Sequence, residues 1–163
     1  MVEEQKGLTN KKDTTMYLYK LLKIIAVIGL LLLVTACSQE PAEIHYGNDE
    51  CAHCKMMITD AQFASQIVTD KGKVHKFDAI ECMAIYYQMN QDELDGAKLY
   101  VSNYAKPGNW LNAKKTQFVK SEVVNSPMGE SLIAFPSRKE AEKHISDRPG
   151  KLLKWAEVSQ IEM

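Results

Sequence analysis

The sequence predicts an α+β protein: two similar small ββαβ domains that follow a cleaved N-terminal leader and a short tether. Three observations carry that prediction. An uncharged apolar run near the N-terminus ends at a small-residue cut site. After it come two stretches in which short strand-like runs flank a capped segment of helical period. The caps of those two helices, Asp78 and Ser137, stand 59 residues apart, which reads as an internal duplication.

The leader comes first. Lys20 and Lys23 precede the run Ile24 to Ala36, which closes in Leu33-Val34-Thr35-Ala36-Cys37. A helix that crosses a bilayer needs about 20 apolar residues, and this run has 13. The stretch Val34-Thr35-Ala36-Cys37 resembles the lipobox of bacterial lipoproteins. That resemblance implies a signal peptide over residues 1–36, acylation of Cys37, and an extracytoplasmic chain lipid-anchored to a bacterial membrane; two acyl chains make a stable anchor. Met16 is an alternative start to Met1, since Met16-Tyr17-Leu18-Tyr19-Lys20 opens a leader of ordinary length.

The remaining chain, Cys37 to Met163, is long enough for one compact unit or two very small ones. The full chain has 20 basic and 21 acidic groups; the leader takes five lysines and three acids, leaving 15 against 18. Without a basic stripe, nothing suggests a nucleic-acid partner. Exported proteins usually pair their thiols, yet once Cys37 is acylated three cysteines are left, Cys51, Cys54 and Cys82. An odd thiol outside the cytoplasm is a ligand, a reactive group or an intermolecular partner.

Residues 37–50 are polar, with Pro41, Glu40, Glu43 and Glu50, and read as a tether. The first domain, 51–105, contains a strand over Phe63 to Asp70, a turn at Lys71-Gly72 and a second strand over Lys73 to Phe77. A helix follows. Asp78 caps it, Glu81 reaches back as in a capping box, and Ile80, Met83, Ala84 and Tyr87 form its buried face. A third strand, Lys98 to Tyr104, closes the unit. The second domain, 106–163, opens with a linking segment through Thr116 that carries Lys106-Pro107-Gly108 and Trp110, the latter expected to pack in the seam. Strands over Gln117 to Val124 and Leu132 to Phe135 flank the turn Pro127-Met128-Gly129. Ser137 and Glu140 cap a short helix bearing Ala141 and Ile145, which stops before Pro149-Gly150, and Leu152 to Val158 is the closing strand.

The densest chemistry is Glu50-Cys51-Ala52-His53-Cys54-Lys55-Met56-Met57-Ile58, with four sulfur atoms in seven residues. Thiolate and thioether are soft donors that select Cu(I), and thioethers are absent from the usual zinc sets. Haem attachment needs His directly after the second cysteine, where Lys55 stands. A thiol-disulfide or electron-delivery role for Cys51 and Cys54 is the alternative reading, without the βαβ scaffold such pairs normally have. Zinc held by Cys51, Cys54, Cys82 and His75 ranks third, and a plain Cys51-Cys54 bridge is the bland reading. Met83 reads as core and Cys82 as a buried, inert thiol. Met128, in a polar turn, has no packing reason to be there. His53, His75 and His144 read as surface residues, His53 having the best claim to an accessory role.

These elements together resemble the NosL family of copper-chaperone lipoproteins associated with nitrous-oxide reductase. The matching residues are the lipobox, Cys51 through Ile58, Phe77-Asp78 with Cys82-Met83, Trp110-Leu111-Asn112-Ala113 with Phe118-Val119, Ser126-Pro127-Met128-Gly129, Ala134-Phe135 and Glu140-Ala141. The resemblance implies two ββαβ domains and a non-enzymatic Cu(I) chaperone with Cys54, Met56 and Met128 as ligands and Cys51 and His53 as possible accessories. It further implies three partners: the membrane through acylated Cys37, the nitrous-oxide reductase apoprotein, and an ABC-type transporter. One departure matters: many members carry Gly where this chain has Lys55, which restricts φ and sets a cation beside the metal.

Overall fold

A computed structural model describes residues 14–25 and 38–161. The first stretch is a helix, α1 (residues 14–25), with exposed side chains. Among the described residues no helix is long and apolar enough to cross a membrane. Most of the predicted apolar run and Cys37 itself lie outside the described residues.

In the second stretch, mixed helix and sheet give the expected α+β class. The elements are β1 (Ser65–Val68), β2 (Val74–Phe77), α2 (Ile80–Met89), β3 (Lys98–Asn103), β4 (Lys106–Asn112), β5 (Gln117–Lys120), β6 (Leu132–Phe135), α3 (Arg138–His144), β7 (Lys151–Leu153) and α4 (Trp155–Val158). One sheet has the order β2-β1-β3-β4 and the other β6-β5-β7. In each, the first strand of the half lies in the middle, its hairpin partner on one side and the strand after the helix on the other. All these pairings are antiparallel.

The two halves share a core. Side chains alternate across a strand, so Phe118 of β5 and Leu132 and Ala134 of β6 face the first half. There they join Ile67, Phe77, Ile80, Met83, Leu99 and Val101. Val119, Ile133 and Phe135 point the other way, onto Ala141 of α3. Trp155 of α4 closes the shared core against Phe118 and Tyr87, with ring centroids 6.2 and 5.7 Å away.

Four expectations change. Residues 38–50 are not a free tether: Ile44 is buried in the shared core. The amide of Gln66 bonds both the N–H and the carbonyl of Ala42 at 2.9 and 2.8 Å, and Tyr100 Oη donates to the carbonyl of Gln39 at 2.8 Å. The linking segment is a strand, since Lys106–Asn112 pairs with β3 as the edge of the first sheet, a position that tolerates Pro107. The first half therefore extends past residue 105. The last predicted strand stops at Leu153, where Lys154 N–H bonds Glu157 Oε2 at 2.9 Å and α4 begins.

The fourth change concerns the caps. Ser137 caps α3 as expected, its Oγ accepting from Glu140 N–H at 3.3 Å. The same signature fails at α2, whose N-cap is Ala79 without a side-chain bond. Asp78 and Glu81 are both buried and engaged elsewhere. The predicted helix face holds: Ile80, Met83 and Ala84 are buried and Tyr87 is half-buried at its end.

Candidate metal centre

The cysteine segment forms a narrow loop. Gly47 N–H bonds the carbonyl of Ile58 at 2.8 Å, Ile58 N–H that of Asp49 at 2.9 Å, and Glu50 and Met57 form an isolated bridge. At its tip Cys51 N–H bonds Met56 O at 2.8 Å and Lys55 N–H bonds Cys51 O at 3.1 Å, which turns the chain between the two cysteines. The turn requires a left-handed residue after Cys54, and Lys55 takes φ 65°. Ala52 N–H bonds Lys76 O at 2.8 Å, and Lys76 Nζ meets Asp49 Oδ2 at 2.7 Å. The loop is thereby fastened to β2.

The corner between β2 and α2 supplies the rest. Asp78 follows β2 directly, and Cys82 lies in the first turn of α2, so the corner brings both into the cluster. The donor atoms of Cys51, Cys54, Asp78 and Cys82 all lie within 4.8 Å of one another. Cys54 Sγ is 3.6 Å from each oxygen of Asp78. Two donors bonded to one ion at about 2.3 Å can stand at most about 4.6 Å apart. Four donors in a tetrahedral set at that bond length stand about 3.8 Å apart, so closing the whole cluster onto a metal would shorten its widest separations by about 1 Å.

The thiols are not equivalent. A hydrogen bond from Cys82 lowers Cys51 to about 6, helped by the N–H groups of Asp78 and Cys54 and opposed by burial. Cys82 keeps its proton, pushed up by that same bond to Cys51 and by burial. Burial also raises Cys54, the half-exposed member. The arrangement stores one thiolate inside and keeps a thiol at the rim. Such a set of three sulfurs and one carboxylate suits a soft or borderline cation.

Cys54, one of the sequence-predicted ligands, is in the cluster. Cys51, expected as an accessory, is a buried full member. Met56 stands 45% exposed on the loop arm just past Cys54. Met128 is half-buried against the shared core that contains Cys51 and Cys82, so it has the packing reason that its turn seemed to lack. His53 is half-buried and outside the cluster. His75, the fourth ligand of the zinc reading, instead bonds Tyr86 Oη through Nδ1 at 3.1 Å. His144 is wedged between Phe135 and Tyr104 rather than free on the surface.

Sequence reasoning places Cys82 at a metal only in the zinc reading, and it misses Asp78. Cys82 is buried, as expected, but lies with Cys51 in the cluster rather than apart from it. Asp78 was hidden by its resemblance to a helix cap. Cys51 and Cys54 also lie on a turn rather than at a helix start after a strand, so the pair lacks the thioredoxin-type setting.

Residues 41–163 match the family model NosL. The chain is 28% identical over 155 residues to the copper-binding lipoprotein NosL of Stutzerimonas stutzeri, covering 86% of this chain and 79% of that one. It also superposes on the crystal structure of the copper chaperone NosL from Shewanella denitrificans with a TM-score of 0.61. That match has 25% identity and covers 75% of this chain and 98% of the other.

Proposed function

The chain belongs to the NosL family, and from that membership we propose that it is an extracytoplasmic, lipid-anchored Cu(I) chaperone that supplies copper to nitrous-oxide reductase. It binds and hands on a metal ion and catalyses no reaction. The observation that carries the copper reading is the convergence of three thiols and a carboxylate within 4.8 Å, with one thiol half-exposed beside an exposed thioether. Relatives named copper-binding lipoprotein and copper chaperone support it.

The cargo ion docks first on Cys54 and Met56 at the rim. The Cys51 thiolate draws it inward, and Met128 from the second half completes a low-coordinate sulfur set. Cys82 holds the Cys51 proton balance, and Asp78 compensates the charge of the bound cation. Few soft donors, two of them reachable from solvent, let a recipient thiolate or thioether replace them one at a time. The recipient is the nitrous-oxide reductase apoprotein, with an ABC-type transporter as docking partner and acylated Cys37 as the membrane attachment. Support for these partners is the family alone.

Titration of the reduced protein with Cu(I) against a competing chelator tests the site. One equivalent binds tightly in the parent, and Cys54→Ser and Met128→Leu each weaken it at least about tenfold. Unchanged affinity in both variants refutes the ligand set. A Met56→Leu variant that is silent while a reversible Cys51-Cys54 bridge proves essential would favour thiol-disulfide exchange instead.

A further inference from the structure

Glu81 occupies a place where a carboxylate is costly. It is fully buried in the first turn of α2, one residue before Cys82. Its Oε1 accepts from the Ser126 hydroxyl at 2.5 Å and lies 3.5 Å from Leu132 N–H. Its Oε2 has no partner among the described residues. A well-packed hydrocarbon side chain would be less costly at such a position, so the carboxylate calls for a reason beyond packing.

Ser126 supplies that reason. Its Oγ also accepts from Ser131 N–H at 2.9 Å, and its carbonyl accepts from Gly129 N–H at 3.0 Å. Ser126 thus closes the loop that carries Met128, a loop in which Gly129 and Ser131 are left-handed, with φ 83° and 61°. Met128 packs on the core that includes Cys51 and Cys82. A single turn of α2 therefore delivers Cys82 to the metal cluster and, from the adjacent residue, ties down the loop of the thioether.

We propose that Glu81 is a positioning residue: through Ser126 it holds the Pro127-Met128-Gly129 turn of the second half against α2, so that Met128 joins the sulfur set built on the first half. The inference rests on the Cu(I) reading above. Glu81 is not itself a ligand, since it lies outside the four-residue cluster.

The experiment uses the full-length chain in detergent, with the methionine methyl groups carbon-13 labelled and Cu(I) delivered from a competing chelator. In the parent, the Met128 and Met56 methyl signals both move on loading. In Glu81→Leu and in Ser126→Ala the Met128 signal stays where it was, the Met56 signal still moves, and affinity falls about tenfold or more. Glu81→Gln, which keeps an acceptor, restores the Met128 response. Adding Met128→Leu to Ser126→Ala costs nothing further, because the thioether is already lost to the site. Should Glu81→Leu fail to fold, Ser126→Ala carries the test from the other side of the bond. A Met128 signal that moves normally in the variants, with parental affinity, overturns the positioning role alone. A Met128 signal that never moves in the parent overturns the ligand set, and the positioning role with it.

Discussion

Replacing Lys55 by glycine should stabilise the protein where replacing it by alanine should not, the reverse of the usual order. Lys55 sits at φ 65° immediately after Cys54. A side chain in the left-handed region costs roughly 1–2 kcal/mol through contact of Cβ with the following carbonyl. Glycine removes that cost but brings an unfolded-state entropy penalty of roughly 0.5–1 kcal/mol. Either substitution also loses the bond from Lys55 Nζ to the carbonyl of Ala52, 3.0 Å long and exposed, a loss of a few tenths of a kcal/mol at such a surface. The balance leaves Lys55→Gly from unchanged to about 1 kcal/mol more stable than the parent. Lys55→Ala keeps the strain, loses the bond, and falls slightly below the parent. Urea unfolding of the reduced, metal-free protein measures all three, and a difference of about 1 kcal/mol moves the thermal midpoint by about 3–5 °C at this size. An alanine variant as stable as the glycine variant would refute the reasoning, because it would mean that the turn relaxes out of the left-handed region at no cost.

Two further outcomes follow from the centre and the core. In Cys82→Ala the Cys51 thiol loses its main donor, so its midpoint, read by ultraviolet thiolate absorbance, should climb from about 6 toward the ordinary value of about 8.5; an unmoved midpoint contradicts the assignment of the inner thiolate. Because Cys51 is held below its ordinary value in the fold, its contribution to stability is present above the ordinary thiol range and lost as pH falls through about 6. That loss should be visible in the parent and blunted in Cys82→Ala. Trp155→Ala should cost about 3–5 kcal/mol in urea unfolding and, since Trp155 touches both Phe118 and Tyr87, it should broaden or split the transition. A single sharp transition at parental stability would mean that α4 does not join the halves.

The repeated ββαβ pattern was legible because it rests on period and turn chemistry, which are local. Both hairpins, the helix of each repeat and the inward face of α2 follow from it. The capping signature was only half reliable: Ser137 and Asp78 look alike in sequence, each with Glu three residues on. Ser137 is half-buried at the start of a helix whose next three residues are exposed, and its oxygen bonds within that helix. Asp78 and Glu81 are enclosed, and a cysteine and a serine distant in sequence win their oxygens. The same limit explains residues 38–50. Their polarity suggests a tether, but Ile44 and the backbone of Ala42 find partners more than 20 residues away. In the sulfur cluster the pair within one turn could be read directly, whereas Cys82 and Asp78 join it only through the β2–α2 corner.

The docking of residues 38–50 has a consequence for how such a chaperone would find its client. With Gln39 held to Gly96 and Tyr100, a lipid on Cys37 would begin about 7 Å of chain from the folded surface. The body would then ride on the bilayer like a stud, without the swing of a ball on a string. If the chain is anchored as proposed, its encounters with a membrane partner would become a two-dimensional search with restricted tilt. Insertion of a flexible spacer after Ser38 would lengthen that leash, trading orientation for reach.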